Sequence, residues 1–412
     1  MSTIFESFLS TPEALDAFGE RDFLQAMLRF EASLAHAQAT SGLLPLAAAQ
    51  AISNCCKVER FDVAAIVNDS RSAGSIAIPL VKSLKQLVGA DDDKAAGYVH
   101  LGATSQDVID TAMALQVQGV LGRVQADVRT AAQALLVLAD RHAADPVLAR
   151  TLMQPASVTS FGLKCAGWSM PLVRSLQRLR ASAASALSVQ LGGPVGTLAQ
   201  MAGKGPQVRA LMAIDLGLND SGFCWHTQRD DWAELACALG LLVGSLGKLA
   251  KDMALMSQFE CGEIAEPVAA GRGGSSAMPH KRNPVACMTA LAAAQRAPHR
   301  VAAILAAMPQ EHERALGNWQ AELAEWPALL MSAHGAARAM ALALPSLQVD
   351  TGRMRANLDA VRAVLPADAA AEWFDPSLAV QASQQAKALV ASQSASLAAL
   401  DFTDPPTNNH TC

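Results

Sequence analysis

Two segments of the chain carry apolar residues at alternating spacings of three and four positions. The first set is Val117, Leu121, Val124, Val128, Ala131, Leu135 and Leu138, and the second is Trp232, Leu235, Leu239, Leu242, Leu246, Leu249, Met253 and Met256. This spacing keeps one face of a helix apolar over many turns and is typical of helices packed side by side. We predict two helices of about 25–30 residues, roughly 40 Å long. Helices of that length need long partners, so a helix bundle is expected.

Weaker helical periodicity follows in three further segments, at residues 157–190, 284–308 and 325–345. Glycine and proline interrupt the pattern at Gly192-Gly193-Pro194 and again between Gly271 and Pro284. Such residues mark turns and loops between helical blocks.

Composition agrees with a helical fold. The 412 residues are 51% hydrophobic and only 4% aromatic, with a single tyrosine, and an alanine-rich, aromatic-poor chain favours helices over sheets. A chain of this length exceeds one ordinary core. We predict an all-α protein with an N-terminal helical domain (1–110), a central long-helix bundle (111–350) and a short C-terminal helical domain (351–412).

Charge and hydropathy exclude several classes of partner. The formal net charge of -5 comes without a long basic run, so nucleic-acid binding is not expected. No stretch of about 20 uninterrupted apolar residues is present, so no membrane span is expected. The N-terminus lacks the basic start and apolar core of a secretory signal, which predicts a cytoplasmic protein.

Cysteine and histidine spacing predicts neither disulfides nor a metal site. The eight cysteines are scattered without a CxxC motif, which favours reduced thiols. The nine histidines form no HExxH or comparable spacing. We therefore expect no metal.

The segment from Gly271 to Pro284, GRGGSSAMPHKRNP, is the most unusual of the chain. Asn283 followed by Pro284 indicates a helix start with asparagine at the N-cap and proline at N1. The positive end of that helix, together with Lys281, would suit an anion or stabilise a serine alkoxide. Composition alone leaves a flexible, solvated basic loop as an equal alternative.

The exact string resembles the signature of the fumarase/aspartase (fumarate lyase) superfamily. The resemblance implies long-helix bundles assembled as a homotetramer, with active sites where several subunits meet. It implies that Ser275 is the general base and that Lys281 and Asn283 stabilise the substrate carboxylate as it takes up charge. Ser276 and Met278 would then contact substrate.

Two further segments resemble substrate-binding segments of the superfamily. The first, from His100 to Asp107, implies substrate contacts from His100, Thr104 and Ser105. Thr104 or Ser105 could also simply cap a helix, with Asp107 favouring its dipole, and both roles can coexist. The second segment runs from Arg150 to Gln154 and continues with Thr159 and Gly162, and it implies substrate contacts from Gln154 and Thr159.

Two departures from adenylosuccinate lyases bear on the reaction. Those enzymes carry a histidine and a glutamate that serve the leaving nitrogen, and the matching positions here are Leu152 and Met288. An amine leaving group needs a proton. A carboxylate does not, because the pKa of its conjugate acid is near 4. The missing acid pair therefore fits a reaction in which a carboxylate adds to carbon, as in lactonisation.

Other strings resemble the bacterial 3-carboxy-cis,cis-muconate cycloisomerases. They are residues 27–35, 225–230, 308–314 and 317–322. This resemblance implies an isomerase that forms 4-carboxymuconolactone in protocatechuate (β-ketoadipate) breakdown, without cofactor or metal.

A tricarboxylate substrate calls for cations near the site. Arg314 is the leading substrate-binding candidate, and Arg229, Arg150 and His100 are further ones. Trp319 could line the site, although a core position is the alternative.

Two other functions remain open at this point. One is an adenylosuccinate lyase or another fumarate-releasing lyase, against which Leu152 and Met288 argue. The other is a non-catalytic helical oligomer, against which the intact Ser275, Lys281 and Asn283 argue.

Overall fold

The computed structural model describes residues 4–267, 273–274, 278 and 281–400. Within these ranges the α-helices are α1 (Ile4–Leu9), α2 (Pro12–Ala17), α3 (Glu20–Thr40), α4 (Leu46–Cys55), α5 (Val63–Ala73), α6 (Ala77–Asp91), α7 (Asp93–Ala96), α8 (Ser105–Arg141), α9 (Phe161–Ala186), α10 (Gly205–Leu216), α11 (Asp230–Met256), α12 (Val285–Ala306), α13 (Asn318–Ala343), α14 (Thr351–Arg362), α15 (Ala367–Trp373) and α16 (Leu378–Ala398). Two antiparallel strand pairs accompany them: β1 (Pro146–Thr151) with β2 (Gln154–Ser160), and β3 (Ile264–Ala265) with β4 (Gln348–Val349). The all-α class is confirmed.

The two long helices predicted from apolar spacing are α8 and α11. They contain 37 and 27 residues, so α8 spans roughly 55 Å and α11 roughly 40 Å. Every residue of the two apolar faces is buried. The apolar faces pack as predicted, because the spacing that defines one face of a helix also places each of its side chains against the neighbouring helices.

Five helices form the centre of the molecule: α8, α9, α11, α12 and α13 pack against one another. Small residues let these helices approach closely. A Cβ on Gly247 of α11 would lie 2.4 Å from the Cβ of Ala294 on α12. The alanine-rich composition therefore has a packing consequence, because short side chains fill the narrow spaces between long helices.

The helices run in opposed directions between two ends of the bundle. α8 and α11 begin at the same end, since Arg229, just before α11, contacts Asp110 in the first turns of α8. α12 runs back toward that end, and α13 leads away from it to β4, which pairs with β3. Chain segments that are distant in sequence therefore meet at each end.

The outer helices extend the same core. α3 and α10 pack together, α3 also packs on α8, and α16 packs on α8 and α9. A small second apolar cluster lies under the C-terminal helices, at Leu148, Val158, Leu358, Phe374 and Ala379. α8 begins at Ser105, inside the expected N-terminal domain, and the three-domain division stays a prediction.

The β1–β2 hairpin was missed by the sequence patterns, which predicted helix from residue 157 onward. The first four of those residues belong to β2, and α9 starts only at Phe161. Leu152 and Met153 form the turn with φ angles of 49° and 69°. Neither is a glycine or asparagine, so no sequence signal of a tight turn was present.

Among the described helices, α11 is long and apolar enough by composition to cross a membrane. Most of its apolar residues are buried against the other helices of the bundle, although Leu241 is exposed. A core helix satisfies the same criteria of length and composition.

Gly162 provides a test of the packing between α8 and α9. An added Cβ would lie 2.4 Å from the carbonyl oxygen of Ala139 and 2.5 Å from the Cα of Ala143, both backbone atoms. We expect Gly162→Ala to lower the free energy of unfolding by about 1–3 kcal/mol, because neither helix can move without losing its packing. Urea denaturation followed by circular dichroism measures this.

Gly167 of the same helix is the matched control, since it is exposed and a Cβ there would meet nothing within 4 Å. Gly167→Ala should raise stability by about 0.5–1 kcal/mol through helix propensity alone. Equal effects of the two substitutions would contradict the packing argument.

Candidate active site

The start of α8 is built on a local cap. Thr104 occupies the N-cap position, and its backbone N–H donates to the Oδ2 atom of Asp107 at 3.0 Å. The predicted capping role of Thr104 is confirmed. The preceding turn is tight, with φ angles of 62° at His100 and 70° at Gly102. The turn delivers the chain into the N-terminus of a 37-residue helix, where backbone N–H groups create positive potential.

Asp107 also binds two distant segments. Its Oδ2 atom accepts the N–H of Gly193 at 2.9 Å, and its Oδ1 atom accepts the N–H of Gly192 at 2.9 Å and Nε2 of His226 at 2.7 Å. Gly193 has a φ of +67°, and a Cβ there would lie 2.8 Å from the oxygen of Gly102. Only glycine fits this position.

His226 is held as an imidazolium. The side chain is almost fully buried beside Asp107. Burial alone would lower its pKa, but the hydrogen bond and charge of Asp107 outweigh this effect, with a further contribution from Cys224, and raise the pKa to about 9. The ion pair fixes the loop before α11 against the first turn of α8.

Arg314 lies over the same helix start. Its Nη1 atom donates to Oγ1 of Thr104 at 2.7 Å, and its Nη2 atom donates to Oγ of Ser105 at 2.8 Å. Its Nε atom lies 3.4 Å from Oε1 of Gln106. Among the described residues these partners are neutral, so the guanidinium charge adds to the positive end of the helix dipole. This arrangement suits a carboxylate.

The structure thus brings together Thr104, Ser105 and Arg314, and His100 lies on the turn immediately before them. We refer to this end of the bundle as the Arg314 end.

Two of the arginines considered as substrate ligands have internal partners instead. Arg229 is buried and pairs with Asp110 at 2.9 Å and with Glu322. Trp319 is also a core residue, and its Nε1–H donates to Asp110 at 2.9 Å. Arg150 forms a two-point ion pair with the fully buried Glu263, at 2.9 and 3.1 Å. Arg229 is thereby enclosed by the fold, so its suggested role as a substrate ligand was wrong. Arg150 also joins elements of the fold, but its side chain is 30% exposed and its role as a substrate ligand stays a prediction.

The second predicted binding segment lies at the opposite end of α8. The β1–β2 hairpin follows the last turn of that helix, and the N–H of Gly162 donates to the oxygen of His142. Gln154 is exposed beside the hairpin turn, and Thr159, which pairs with Val147, is half-buried. Neither contacts the Arg314 end.

The described residues of the signature segment (271–284) lie at this same end. Ser275 and Ser276 fall outside the described residues. Asn283 donates its N–H to the oxygen of Gly273 at 2.8 Å, and Lys281 and Met278 are exposed. We refer to this end, which carries Gln154, Thr159, Met278, Lys281 and Asn283, as the Lys281 end.

The predicted cap of α12 was wrong. The helix starts at Val285 with Pro284, not Asn283, at the N-cap position. The carboxylate of Glu266 accepts the N–H groups of Ala286 at 3.0 Å and Cys287 at 2.9 Å. These donors are therefore satisfied from within the chain. Sequence reasoning missed Glu266 because it is remote in sequence from the helix that it caps.

The two ends are far apart within one chain. α11 starts beside Asp110 at the Arg314 end and finishes at Met256, just before Glu263 and the Lys281 end. Its 27 residues span roughly 40 Å. No side chain bridges that distance, so one chain alone does not unite in a single pocket those predicted residues that the structure describes. Within the described ranges, no group of three or more His, Cys, Asp or Glu side chains could hold a metal ion.

The raised pKa of His226 gives a pH dependence of stability. A group whose pKa is higher in the folded state stabilises fully below its unfolded pKa, and this contribution is lost as pH rises through the folded value of about 9. We expect the stability difference between wild type and His226→Gln, roughly 3 kcal/mol near neutral pH, to shrink toward pH 10. Urea unfolding at fixed protein concentration from pH 6 to 10 measures this, and a constant difference would contradict the assignment.

Comparison with known proteins adds to this geometry. The sequence matches the lyase family over residues 8–298. A 3-carboxy-cis,cis-muconate cycloisomerase of Pseudomonas putida is 43% identical over 366 residues, which cover 89% of this chain and 87% of the relative. A nitrosuccinate lyase of Streptomyces davaonensis is 39% identical over 382 residues, covering 91% and 80%.

The fold agrees with a solved structure. The crystal structure of the 3-carboxy-cis,cis-muconate lactonizing enzyme from Pseudomonas putida superimposes with a TM-score of 0.88 at 37% identity, covering 96% of this chain and 100% of that one. The family predicted from the signature segment is confirmed. This chain belongs to the lyase family of the fumarase/aspartase superfamily.

Proposed function

We propose that the protein is a 3-carboxy-cis,cis-muconate cycloisomerase, an isomerase that forms 4-carboxymuconolactone in protocatechuate (β-ketoadipate) breakdown. The observation that carries the substrate assignment is the similarity, over 89% of the chain, to a relative with this activity in its name. The Arg314 end supports it independently, because a guanidinium over a helix N-terminus suits a polycarboxylate.

The reaction joins a carboxylate oxygen to carbon. One carboxylate of the substrate attacks the conjugated double bond and forms the C–O bond, and the electron pair of the double bond moves into a neighbouring carboxylate. Lys281 and Asn283 stabilise the resulting enediolate. Ser275 then delivers a proton to carbon and acts as the base in the reverse direction. The substrate carboxylate is itself the electron sink, so the reaction requires no cofactor.

The remaining predicted residues bind the substrate. Arg314 holds a second carboxylate between the hydroxyls of Thr104 and Ser105, with His100 beside them. Gln154, Thr159, Ser276 and Met278 contribute from the hairpin and the signature segment.

The two positions that distinguish adenylosuccinate lyases support lactonisation. Leu152 is 96% exposed at the hairpin turn, and Met288 is 42% exposed on the first turn of α12. Neither side chain can donate a proton to a leaving nitrogen. A carboxylate oxygen that adds to or leaves from carbon needs no such donor, so a fumarate-releasing lyase fits these residues less well.

A complete site requires several copies of the chain. The Arg314 end and the Lys281 end are roughly 40 Å apart along α11, but a neighbour running in the opposite direction would place its Lys281 end beside the Arg314 end. A two-fold operation creates this arrangement twice. We propose a cytoplasmic homotetramer with sites shared between subunits.

The activity can be tested directly. We expect the purified protein to abolish the ultraviolet absorbance of 3-carboxy-cis,cis-muconate, since lactone formation breaks the conjugation. Adenylosuccinate, argininosuccinate and nitrosuccinate should not be turned over at comparable rates. Ser275→Ala should lower turnover about 10²–10⁴-fold while the oligomeric state stays unchanged. Persistent absorbance at micromolar wild-type protein would reject the proposal.

Sharing of the site predicts complementation between inactive variants. Arg314→Gln damages one end of the chain and Lys281→Met the other. We expect each variant alone to have little activity. After unfolding and refolding together, random association should restore up to about a quarter of wild-type activity, because some sites then receive both intact ends.

The control mixture combines Arg314→Gln with His100→Gln. Both residues belong to the Arg314 end of the same chain, so every site in the mixture contains one of the two lesions. No activity should return. Recovery in this control, or none in the first mixture, would contradict the shared site.

A further inference from the structure

Glu31 is a buried carboxylate with no role in the reaction described so far. It lies on α3, within the string of residues 27–35, among the apolar neighbours Met27, Leu28 and Phe30. It is 1% exposed, and its Oε1 atom lies 2.6 Å from Nδ1 of His100. Its partner is thus a residue of the Arg314 end.

In its buried surroundings, the carboxylate of Glu31 depends on His100 for a neighbouring positive charge. The Oε2 atom is buried and forms no hydrogen bond with the described part of the protein. An ionised carboxylate in such a place is costly unless a cation or several donors stabilise it. Cys56, after the end of α4, is also near, but burial and then the charge of Glu31 raise the pKa of its thiol. The neutral thiol supplies no charge, so His100 must.

The conformation of His100 lets its two ring nitrogens face different partners. The residue has a φ of 62°, in a region that a non-glycine residue rarely adopts. Its side chain is 15% exposed, and Nδ1 faces Glu31. The second ring nitrogen, Nε2, is therefore left for another partner, and Thr104 and Arg314 lie at the adjacent helix start.

Three charged groups act on this imidazole. Burial is the largest single effect and lowers the pKa of His100. The charge and hydrogen bond of Glu31 on α3, together with the charge of Asp107 on α8, outweigh burial and the opposing charge of Lys85 on α6. The net result is a pKa above the ordinary value. The imidazolium is thereby stabilised relative to that of an ordinary histidine, and in this form a second N–H is available as a donor.

We propose that Glu31 is a positioning residue for the reaction: it holds His100 as an imidazolium whose Nε2–H donates to a carboxylate of the substrate. The inference rests on the proposed function. It means that the Arg314 end presents two cations, Arg314 and His100, of which only the second depends on pH. Glu31 itself does not contact the substrate.

The direct test is the pH dependence of kcat/KM in wild type and Glu31→Gln. Loss of a carboxylate at this distance should lower the pKa of His100 by at least about one unit. The alkaline limb of the profile should then move to lower pH by the same amount. At pH values above both limbs, kcat/KM of Glu31→Gln should be about tenfold below wild type for each unit by which the pKa of His100 falls. The loss should appear mostly in KM, because His100 binds a carboxylate rather than transferring the proton.

The Glu31→Asp variant separates charge from structure. It keeps the carboxylate, so the alkaline limb should stay within a few tenths of a pH unit of wild type even if the shorter side chain lowers activity at every pH. It also keeps the proposal testable if Glu31→Gln does not fold. An alkaline limb displaced equally in both variants would overturn the proposal.

A matched control removes a carboxylate from another histidine. Asp127 on α8 lies 3.2 Å from Nε2 of the fully buried His334 and 2.8 Å from Nε of Arg338. This pair is in the body of the bundle, away from the predicted site residues. Asp127→Asn should lower stability and leave the alkaline limb unmoved. A shift in this variant equal to that of Glu31→Gln would show that destabilisation alone moves the profile, and would overturn the proposal.

Nuclear magnetic resonance of ¹⁵N-labelled histidine gives a readout that needs no turnover. The His100 signal is the one missing from His100→Asn, and its titration should move to lower pH in Glu31→Gln. An unmoved titration would overturn the pairing itself. If wild type failed to lactonise the muconate, the proposed function would fall, whereas the shifted titration would still support the Glu31–His100 pair.

Discussion

One buried carboxylate organises the start of the longest helix. Asp107 accepts two backbone N–H groups from Gly192 and Gly193, a third from Thr104, and an imidazolium proton from His226. An ionised side chain without exposure to water is tolerable only when it is this fully satisfied. The consequence is that two segments remote in sequence are fixed within hydrogen-bonding distance of one helix N-terminus, where the helix dipole and Arg314 create positive potential.

The parts of the fold that sequence could predict are those set by local periodicity. The apolar faces of α8 and α11 were readable because spacing of three and four depends only on neighbouring residues. The Thr104 cap was readable for the same reason. The hairpin around Leu152 was not readable, since its turn residues carry no turn signal. The cap of α12 was also predicted wrongly, because the carboxylate that binds its first N–H groups belongs to Glu266, nineteen positions before Val285.

The site shows the same division. Residue types and short strings indicated Lys281, Asn283, Thr104 and Arg314, and a family signature joined them into one expected site. Whether an arginine is available to bind a substrate depends on partners that are distant in sequence. Sequence alone therefore did not separate Arg229, which pairs with Asp110, from Arg314. Nor could spacing reveal that the predicted residues divide between two ends of a bundle roughly 40 Å long. This division is the reason for proposing an assembly with shared sites, because the predicted chemistry of each end is incomplete alone.

The most direct measurement of this account is a crystal structure of the protein with the lactone product bound. The account predicts that one carboxylate of the product contacts Arg314 of one chain, while Lys281 and Asn283 reach the same molecule from another chain. A product molecule held entirely by one chain, or bound far from both ends of the bundle, would contradict it.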